Sequence, residues 1–185
     1  LLDVAQSGEN VVEREGLSIR HPARFVLVGS GNPEEGELRP QLLDRFGFSV
    51  EVTSPRDVET RVEVIRRRDA YENSYGAFME TWRPQDAALS DRILDARAAL
   101  PSLVTPNTVL HDCASLCIAI GSDGLRGELT LLRAARALAA FEGDEAVGRI
   151  HLKAVAPMCL SHRLRRDPLD EAGSTTRVIR AVGEV

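Results

Sequence analysis

One run of apolar residues, and the polar loop that ends it, constrains the fold of this chain more than any other feature. The run Arg24–Gly29 reads Arg-Phe-Val-Leu-Val-Gly, and Ser30–Pro33 (Ser-Gly-Asn-Pro) follows it directly. Strands buried on both faces of a parallel sheet have this continuous pattern, because neither face alternates toward water. A predicted helix at Pro40–Phe46 and a predicted short strand at Phe48–Val52 come next. The order strand, loop, helix, strand indicates part of an α/β sheet.

The residues before the run predict a β hairpin, and those after Thr53 predict helices. Val11–Glu15 and Leu17–His21 are short β-prone segments joined at Glu15-Gly16. Beyond Thr53, Ser54 is the predicted N-cap of a helix whose first residue is Pro55, with Asp57 in its first turn.

Most of the rest of the chain is predicted to be helical. Gly76 and Pro84 punctuate the region that follows Thr53, which favours several helices over one. Three further helices are expected, and a short terminal helix follows a loop. Their predicted bounds are Pro106–Ile120, Leu125–Phe141, Glu145–His162 and Thr175–Val182, with Gly121, Gly124 and Gly143 separating the first three.

Composition excludes several classes of protein. The net charge is −5 and no long basic tract is present, so DNA or RNA is disfavoured as the main substrate. Three cysteines, an odd number in apolar helical stretches, indicate a reducing cytoplasm rather than a disulfide framework. No apolar run approaches the ~18 residues that a membrane span requires. The chain begins at Leu1, and its first methionine is Met79, so we expect it to be a piece of a longer polypeptide.

The polar loop and the predicted helix after it carry the candidate chemistry. Asn32 follows a predicted buried strand, and ligands of open α/β sheets bind at that edge. An Asn side chain can orient a water molecule through its carbonyl and amide groups. Thirteen residues later come Asp44 and Arg45. The planar, permanently charged guanidinium of Arg45 suits phosphate oxygens, including those at a neighbouring subunit's nucleotide.

Two longer stretches resemble one family closely. Val12–Phe25 reads VEREGLSIRHPARF, and Gly29–Gly47 reads GSGNPEEGELRPQLLDRFG. The first resembles the hairpin that precedes the sensor 1 strand in magnesium chelatases, and the second is similar to that family's signature. The chain is therefore identified as a member of the AAA+ motor-subunit family of magnesium chelatases, of the bacteriochlorophyll-making type. Members of this family use ATP to drive Mg²⁺ insertion into protoporphyrin IX.

The resemblance implies a fold and three domains. The fold class is α/β, the C-terminal part of an AAA+ nucleotide-binding domain followed by an all-helical lid. Residues 1–53 would form the distal α/β core, with the pre-sensor hairpin, the sensor 1 strand and the arginine-finger helix. Residues 54–104 would form a long helical connector, and residues 105–185 the lid bundle that bears sensor 2.

The resemblance also implies roles for six residues. Asn32 corresponds to the sensor 1 Asn, and Arg45 to the arginine finger offered to the adjacent subunit. Arg126, in the stretch Gly124–Glu128, resembles sensor 2. Asp44 would steady the finger or the subunit interface. Glu37 and Arg39 would be supporting or interface residues.

The implied cofactors are ATP and Mg²⁺, held mainly by residues upstream of this chain. A phosphate-cradling loop needs a Gly-x-x-x-x-Gly-Lys motif followed by Ser or Thr, and the only lysine is Lys153. The acidic strand that would hold Mg²⁺ is also missing, so this ATP-hydrolysing subunit should be inactive alone. The implied partners are a homo-oligomeric ring of six, a second AAA+ subunit with an integrin-like domain, and a large porphyrin-binding subunit.

Other readings stay open beside this one. A helicase motor of the related hairpin-bearing AAA+ group would need basic and aromatic residues where this chain has Glu13–Gly16, and another remodelling motor is possible. The missing phosphate loop leaves room for a helical module that only recruits partners. Three weaker candidates are a zinc site, an integrin-binding tripeptide at Leu2–Val4, and an anion site at Arg66–Arg68. The zinc candidates are His111, Cys113, Cys117, Cys159 and His162.

Overall fold

The computed structural model describes residues 4, 7–14, 16–32, 36, 39–122, 124–164 and 174–184. The chain divides into two compact units, Leu1–Gly47 and Phe48–Val185. None of the helices in these described ranges is long and apolar enough to cross a membrane.

The first unit contains the predicted β hairpin. Strand β1 (Glu9–Arg14) pairs antiparallel with β2 (Leu17–Pro22), with Glu9 opposite Pro22 and Arg14 opposite Leu17. Gly16 has a φ of +80°, a conformation that glycine adopts without steric cost, and it allows the tight turn between the strands. The hairpin prediction is therefore confirmed.

The two strands predicted around the polar loop are not strands in the structure, which corrects the prediction at this level. Residues 23–32 and 48–57 have no regular secondary structure. Val26 is 89% exposed and Val28 is 86% exposed. A strand needs neighbouring strands to accept its backbone hydrogen bonds, and the sheet in the described residues contains only β1 and β2. The buried-strand pattern is present in the sequence, but in the described residues it does not pair with the two-stranded hairpin.

The helix after the polar loop and the helix after Thr53 have different bounds from those predicted. Helix α1 spans Pro40–Leu43, and α2 spans Val58–Asn73. The N-cap of α2 is Asp57 rather than Ser54. Its Oδ2 accepts hydrogen bonds from the Thr60 amide at 2.8 Å and the Thr60 hydroxyl at 2.7 Å. A carboxylate satisfies the orphan amides of a helix start more strongly than a hydroxyl does, which accounts for the later start.

Helix α3 spans Tyr75–Ala99 and contains both predicted breakers, Gly76 and Pro84. The prediction of more than one helix is confirmed, but the break lies at Ser74, whose amide donates to the Ala70 carbonyl at 3.0 Å. Neither α2 nor α3 contains a buried residue.

The distal helices form a bundle around one apolar core, as predicted. Helices α4 (Asn107–Ala119), α5 (Arg126–Glu142) and α6 (Arg149–Leu160) are followed by a 3₁₀ turn at Ser161–Arg163 and by α7 (Ser174–Glu184). The most completely buried large side chains are Leu131, Leu160, Val147, Val178, Cys117 and Cys159.

The segment before the bundle is tied to the loop between α5 and α6. Gly143 ends α5 in the left-handed conformation, with φ +85°. The Val147 amide then donates to the Val104 carbonyl at 2.9 Å, and the Val104 amide donates to the Glu145 carbonyl at 3.1 Å. This short parallel bridge fixes the end of the connector segment to the bundle.

Candidate functional site

In the first unit the structure brings the residue before the polar loop close to the residue after Arg45. A methyl group added to Gly29 would lie 3.8 Å from Cζ of Phe46, so the Phe46 ring lies against the backbone three residues before Asn32. Asn32 and Arg45 are both exposed, and Asp44 is half-buried. Both exposed side chains are therefore accessible to a ligand or to a neighbouring molecule.

Helix α1 sets the position of Arg45 through short-range backbone bonds. The Arg39 carbonyl accepts from the amides of Leu42 at 2.9 Å and Leu43 at 3.2 Å, and the Arg45 amide donates to the Leu42 carbonyl at 3.1 Å. Arg39 thus begins the turn that presents Arg45. Glu37, the remaining predicted supporting residue, lies outside the described residues.

In the second unit Arg126 is the first residue of α5, at the positive end of the helix dipole. The residue after it explains how that helix end is placed. A methyl group on Gly127 would lie 2.6 Å from Oγ of Ser122 and 3.5 Å from Cδ2 of Leu160. Glycine therefore lets the start of α5 pack closely against the preceding loop and α6. The exposed Arg126 adds a permanent charge to a helix end that already attracts anions.

An ion pair joins α4 to α6 on the bundle surface. Nε and Nη2 of Arg149 donate to Oδ2 and Oδ1 of Asp112, each at 2.8 Å. The hydrogen bond from Arg149 lowers the pKa of the Asp112 carboxyl below its ordinary value, with smaller help from the charges of Lys153 and His111. No local sequence pattern marks this pair, because 37 residues separate its members.

In the described residues, one group of side chains of the kinds that bind metals has its ligand atoms close together: Glu142, Asp144 and His151. His151 is 3% exposed; its Nε2 lies 2.9 Å from Asp144 Oδ2 and 3.1 Å from Glu142 Oε2. Its Nδ1 accepts a hydrogen bond from the Gly148 amide at 2.8 Å. The ring proton of neutral His151 is therefore on Nε2, where it is donated to the carboxylates.

That tautomer argues against a metal. A cation bound at Nε2 would leave the imidazole with no proton on either nitrogen, because Nδ1 is already an acceptor. The arrangement instead caps the start of α6, where Gly148 is the N-cap and His151 the third helical residue.

The cysteines do not form the zinc site considered from the sequence. Cys113, Cys117 and Cys159 are free and buried, whereas His111 is exposed. Burial raises the pKa of Cys159 to about 12, and the hydrogen bond with Cys113, together with burial, raises the pKa of Cys117. The hydrogen bond with Cys117 lowers the pKa of Cys113. The two thiols whose pKa values are raised stay protonated, and protonated thiols in an apolar core are poor metal ligands. These side chains serve packing.

Of the other two weak candidates, only the arginine run lies wholly within the described residues. Arg66 and Arg67 both pair with Glu63, and Arg68 pairs with Glu72, all within α2. These ion pairs along one exposed helix offset two of the three arginine charges, which makes the run less suited to an anion than the sequence alone suggests. The tripeptide Leu2–Val4 falls mostly outside the described residues.

Comparison with known proteins supports the predicted fold. Residues 110–182 match the family described as the AAA lid domain. A crystal structure of a candidate ATPase from Cytophaga hutchinsonii aligns with 100% of this chain and 60% of that chain, at 19% identity and a TM-score of 0.73. At that identity the likeness shows the fold alone: the C-terminal part of an AAA+ α/β domain followed by a helical lid.

Two curated relatives are much more similar to this chain in sequence than that ATPase is. The magnesium-chelatase 38 kDa subunit of Cereibacter sphaeroides is 82% identical over 100% of this chain and 55% of the relative. That of Rhodobacter capsulatus is 77% identical over 100% of this chain and 53% of the relative. The chain thus spans about half the length of the curated relatives it matches. On this similarity, which runs from end to end of the sequence, the chain belongs to the family of magnesium-chelatase 38 kDa subunits.

Proposed function

We propose that this chain is the distal half of an ATPase motor subunit of magnesium chelatase, which uses ATP to drive insertion of Mg²⁺ into protoporphyrin IX for bacteriochlorophyll synthesis. One observation carries the proposal: the 82% identity to a magnesium-chelatase 38 kDa subunit extends over all 185 residues. The lid match at residues 110–182 supports the same reading.

Three residues would act on the nucleotide in this proposal. Asn32 would hold and orient a water molecule with its amide and carbonyl groups. Arg45 would reach from one subunit into its neighbour's site and stabilise the charge that develops on the transferring phosphoryl group. Arg126, at the start of α5, would tie the position of the lid to the phosphate state. Asp44, Arg39 and Glu37 would support the finger or its interface.

The residues present fit part of a nucleotide site. Exposed Arg45 and Arg126 are permanent cations, and their guanidinium groups match phosphate oxygens in charge and shape. The sequence has no Gly-x-x-x-x-Gly-Lys loop, so ATP and its Mg²⁺ would be held mainly by residues outside this chain. Bound ATP supplies the phosphoryl group; this chain supplies the sensors and the finger.

The exposed run around Val26 and Val28 is consistent with that division. Two valines, each more than four-fifths exposed, are what a central strand shows when its sheet neighbours lie elsewhere. The relatives extend well beyond the matched region, so they have length enough to supply those neighbours.

The partners belong to the proposal as well. We expect a homo-oligomeric ring of six, a second AAA+ chelatase subunit with an integrin-like domain, and a large porphyrin-binding subunit. One solved assembly is described as a complex of the BchI and BchD subunits of magnesium chelatase. It contains a chain that is 75% identical to this one. The match covers 90% of this chain and 52% of that chain, with a TM-score of 0.32. A reducing cytoplasm suits three buried, unpaired cysteines.

The test is reconstitution of the full-length subunit with the two other chelatase subunits. We expect ATP-dependent appearance of the fluorescent Mg-porphyrin product and no stimulation of ATP hydrolysis by DNA. Loss of the product when Arg126→Ala replaces the intact subunit would support the role of the lid. ATP hydrolysis stimulated by DNA, with no product, would instead favour the nucleic-acid motor.

A further inference from the structure

Two arginines join the ends of helices α3 and α5. Arg136, half-buried on α5, donates from Nη2 to the Leu100 carbonyl at 2.9 Å and from Nη1 to the Leu103 carbonyl at 3.3 Å. Nη1 also donates to the Thr105 hydroxyl. Leu100 is the C-cap of α3, so Arg136 covers the carbonyl end of a helix other than its own.

The second arginine makes the reciprocal contact. The guanidinium of Arg92, on α3, lies 4.2 Å from the centre of the Phe141 ring, and its Nη2 lies 3.5 Å from the Phe141 carbonyl oxygen. Phe141 is in the last turn of α5. Arg92 contacts Phe141, and Leu100, later in the sequence, contacts Arg136, which is earlier in the sequence than Phe141. The two helices therefore run antiparallel here.

Helix C-termini explain why arginine serves at both points. The last carbonyls of a helix have no intrahelical donor, and they lie at the negative end of the helix dipole. A guanidinium has a permanent charge and several donors in one plane, so Arg136 can serve three oxygens at once, which a lysine ammonium would do poorly. Each helix thereby caps the other. We call Arg92 and Arg136 the arginine clasp.

We propose that the arginine clasp makes α3 and α5 move as one body, and that Arg136 is a positioning residue for the ATPase cycle. Arg126 begins the same helix ten residues earlier, about 15 Å away along an unbroken α-helix. A shift of Arg126 with the phosphate state therefore reaches α3 through the clasp. This inference rests on the proposed function, in which Arg126 reads the phosphate.

The test uses the full-length subunit assembled with its chelatase partners. Four forms are compared: unmodified, Arg136→Met, Arg126→Ala and the double variant. We expect Arg136→Met to leave the KM for ATP within about twofold and to lower Mg-porphyrin formed per ATP hydrolysed about tenfold. The double variant should be no worse than Arg126→Ala alone, because both changes break one linkage. Arg133→Met, at an exposed position on the same helix, is the matched control and should leave this ratio unchanged.

Hydrogen exchange provides a readout that does not depend on catalysis. In Arg136→Met, the amides of Leu100 and of residues 102–105 should exchange about tenfold faster, whereas those of α4 should not change. If Arg136→Met fails to fold, Arg92→Met is tested in its place. It removes the exposed member of the clasp and should also lower the amount of Mg-porphyrin formed per ATP hydrolysed.

Each outcome has a separate meaning. Unchanged exchange, or faster exchange with full coupling, overturns the clasp as a positioning device while the proposed function stands. Losses that multiply in the double variant show that Arg136 acts independently of Arg126, and they also overturn the inference. An unmodified subunit that inserts no Mg²⁺ overturns the proposed function and, with it, this use of the clasp; the exchange data would still report whether the two helices are joined.

Discussion

Among single residues, Asp112 shows most clearly how one charge pair holds two helices. Its side chain is 17% exposed and that of Arg149 is 55% exposed, so water weakens the pair without removing it. Two parallel hydrogen bonds at 2.8 Å give it a fixed geometry that most surface pairs lack. We expect it to contribute modestly to the stability of the bundle and to make that contribution depend on pH.

Replacing Asp112 with Asn tests this. Because Arg149 lowers the pKa of Asp112, the stabilisation is fully present above the unfolded carboxyl pKa, near ~3.9, and is lost as pH falls through the lower folded value. Asp112→Asn should lower the melting temperature by about 2–4 °C at neutral pH. The gap between variant and parent should stay constant down to about pH 5 and close below about pH 4. Asp95→Asn, at an exposed position on α3, is the control; a gap that widens in acid would contradict the account.

His151 gives a prediction about metals. A site half-saturated at micromolar Mn²⁺ would raise stability by about 2.7 kcal/mol at a hundredfold excess of the ion. Since the His151 tautomer leaves no lone pair for an ion, neither Mn²⁺ nor EDTA should shift the melting temperature of the chain. His151→Ala should still lower it, because the cap of α6 and a buried hydrogen bond are lost. A shift with Mn²⁺ that disappears in His151→Ala would show that the cluster binds metal.

Among the elements, α5 illustrates how apolar spacing sets both fold and stability. Leu131 is fully buried, whereas Leu129, two positions earlier and therefore on another face, is 50% exposed. Leu131→Ala should reduce the free energy of unfolding by about 2–5 kcal/mol through lost burial and a residual cavity. Leu129→Ala is the matched control and should cost less than about 1 kcal/mol. Urea unfolding followed by circular dichroism measures both, and equal costs would contradict the packing described here.

The elements also show what a sequence can and cannot predict. The bundle helices were predictable because glycines at positions 121 and 143 adopt left-handed conformations that stop helices, and the spacing of leucine and alanine gives each helix its apolar face. The run Arg24–Gly29 was misassigned as a strand in this structure because strand formation depends on partners distant in sequence. Pro84 was misleading for a related reason: one lost hydrogen bond did not end a 25-residue helix.

The residues of the candidate site also fall into those that a local sequence pattern predicts and those that it does not. Asn32, Arg45 and Arg126 could be proposed from the sequence because each lies in a local motif that resembles a family. Arg136 and Arg149 have no motif, since their partners lie 31 to 37 residues away in sequence. Contacts of this kind become visible only once helices are packed together. The neutral tautomer of His151 likewise depends on a backbone amide that no sequence pattern marks.

At the scale of the whole molecule, this chain spans about half the length of the relatives it matches. The chain carries a lid, and under the proposed function it also supplies the sensors and the finger, but its sequence lacks a phosphate loop. The proposed function therefore requires an assembly whose ATP sites are shared between subunits. A net charge of −5 gives this half little of the counterion-release energy that drives binding to nucleic acid.

The most direct test of this account mixes two inactive forms of the full-length subunit, one with Arg45→Ala and one with a substitution in the phosphate loop. An arginine finger contributes roughly 10³ or more to the rate of phosphoryl transfer, so each variant alone should bind into rings and hydrolyse almost no ATP. If Arg45 acts on its neighbour's nucleotide, mixed rings contain sites with an intact loop and an intact finger, and ATP hydrolysis should recover to a substantial fraction of the unmodified rate. Mixed rings that form, as shown by native mass spectrometry, but hydrolyse no more ATP than either variant alone would contradict the account.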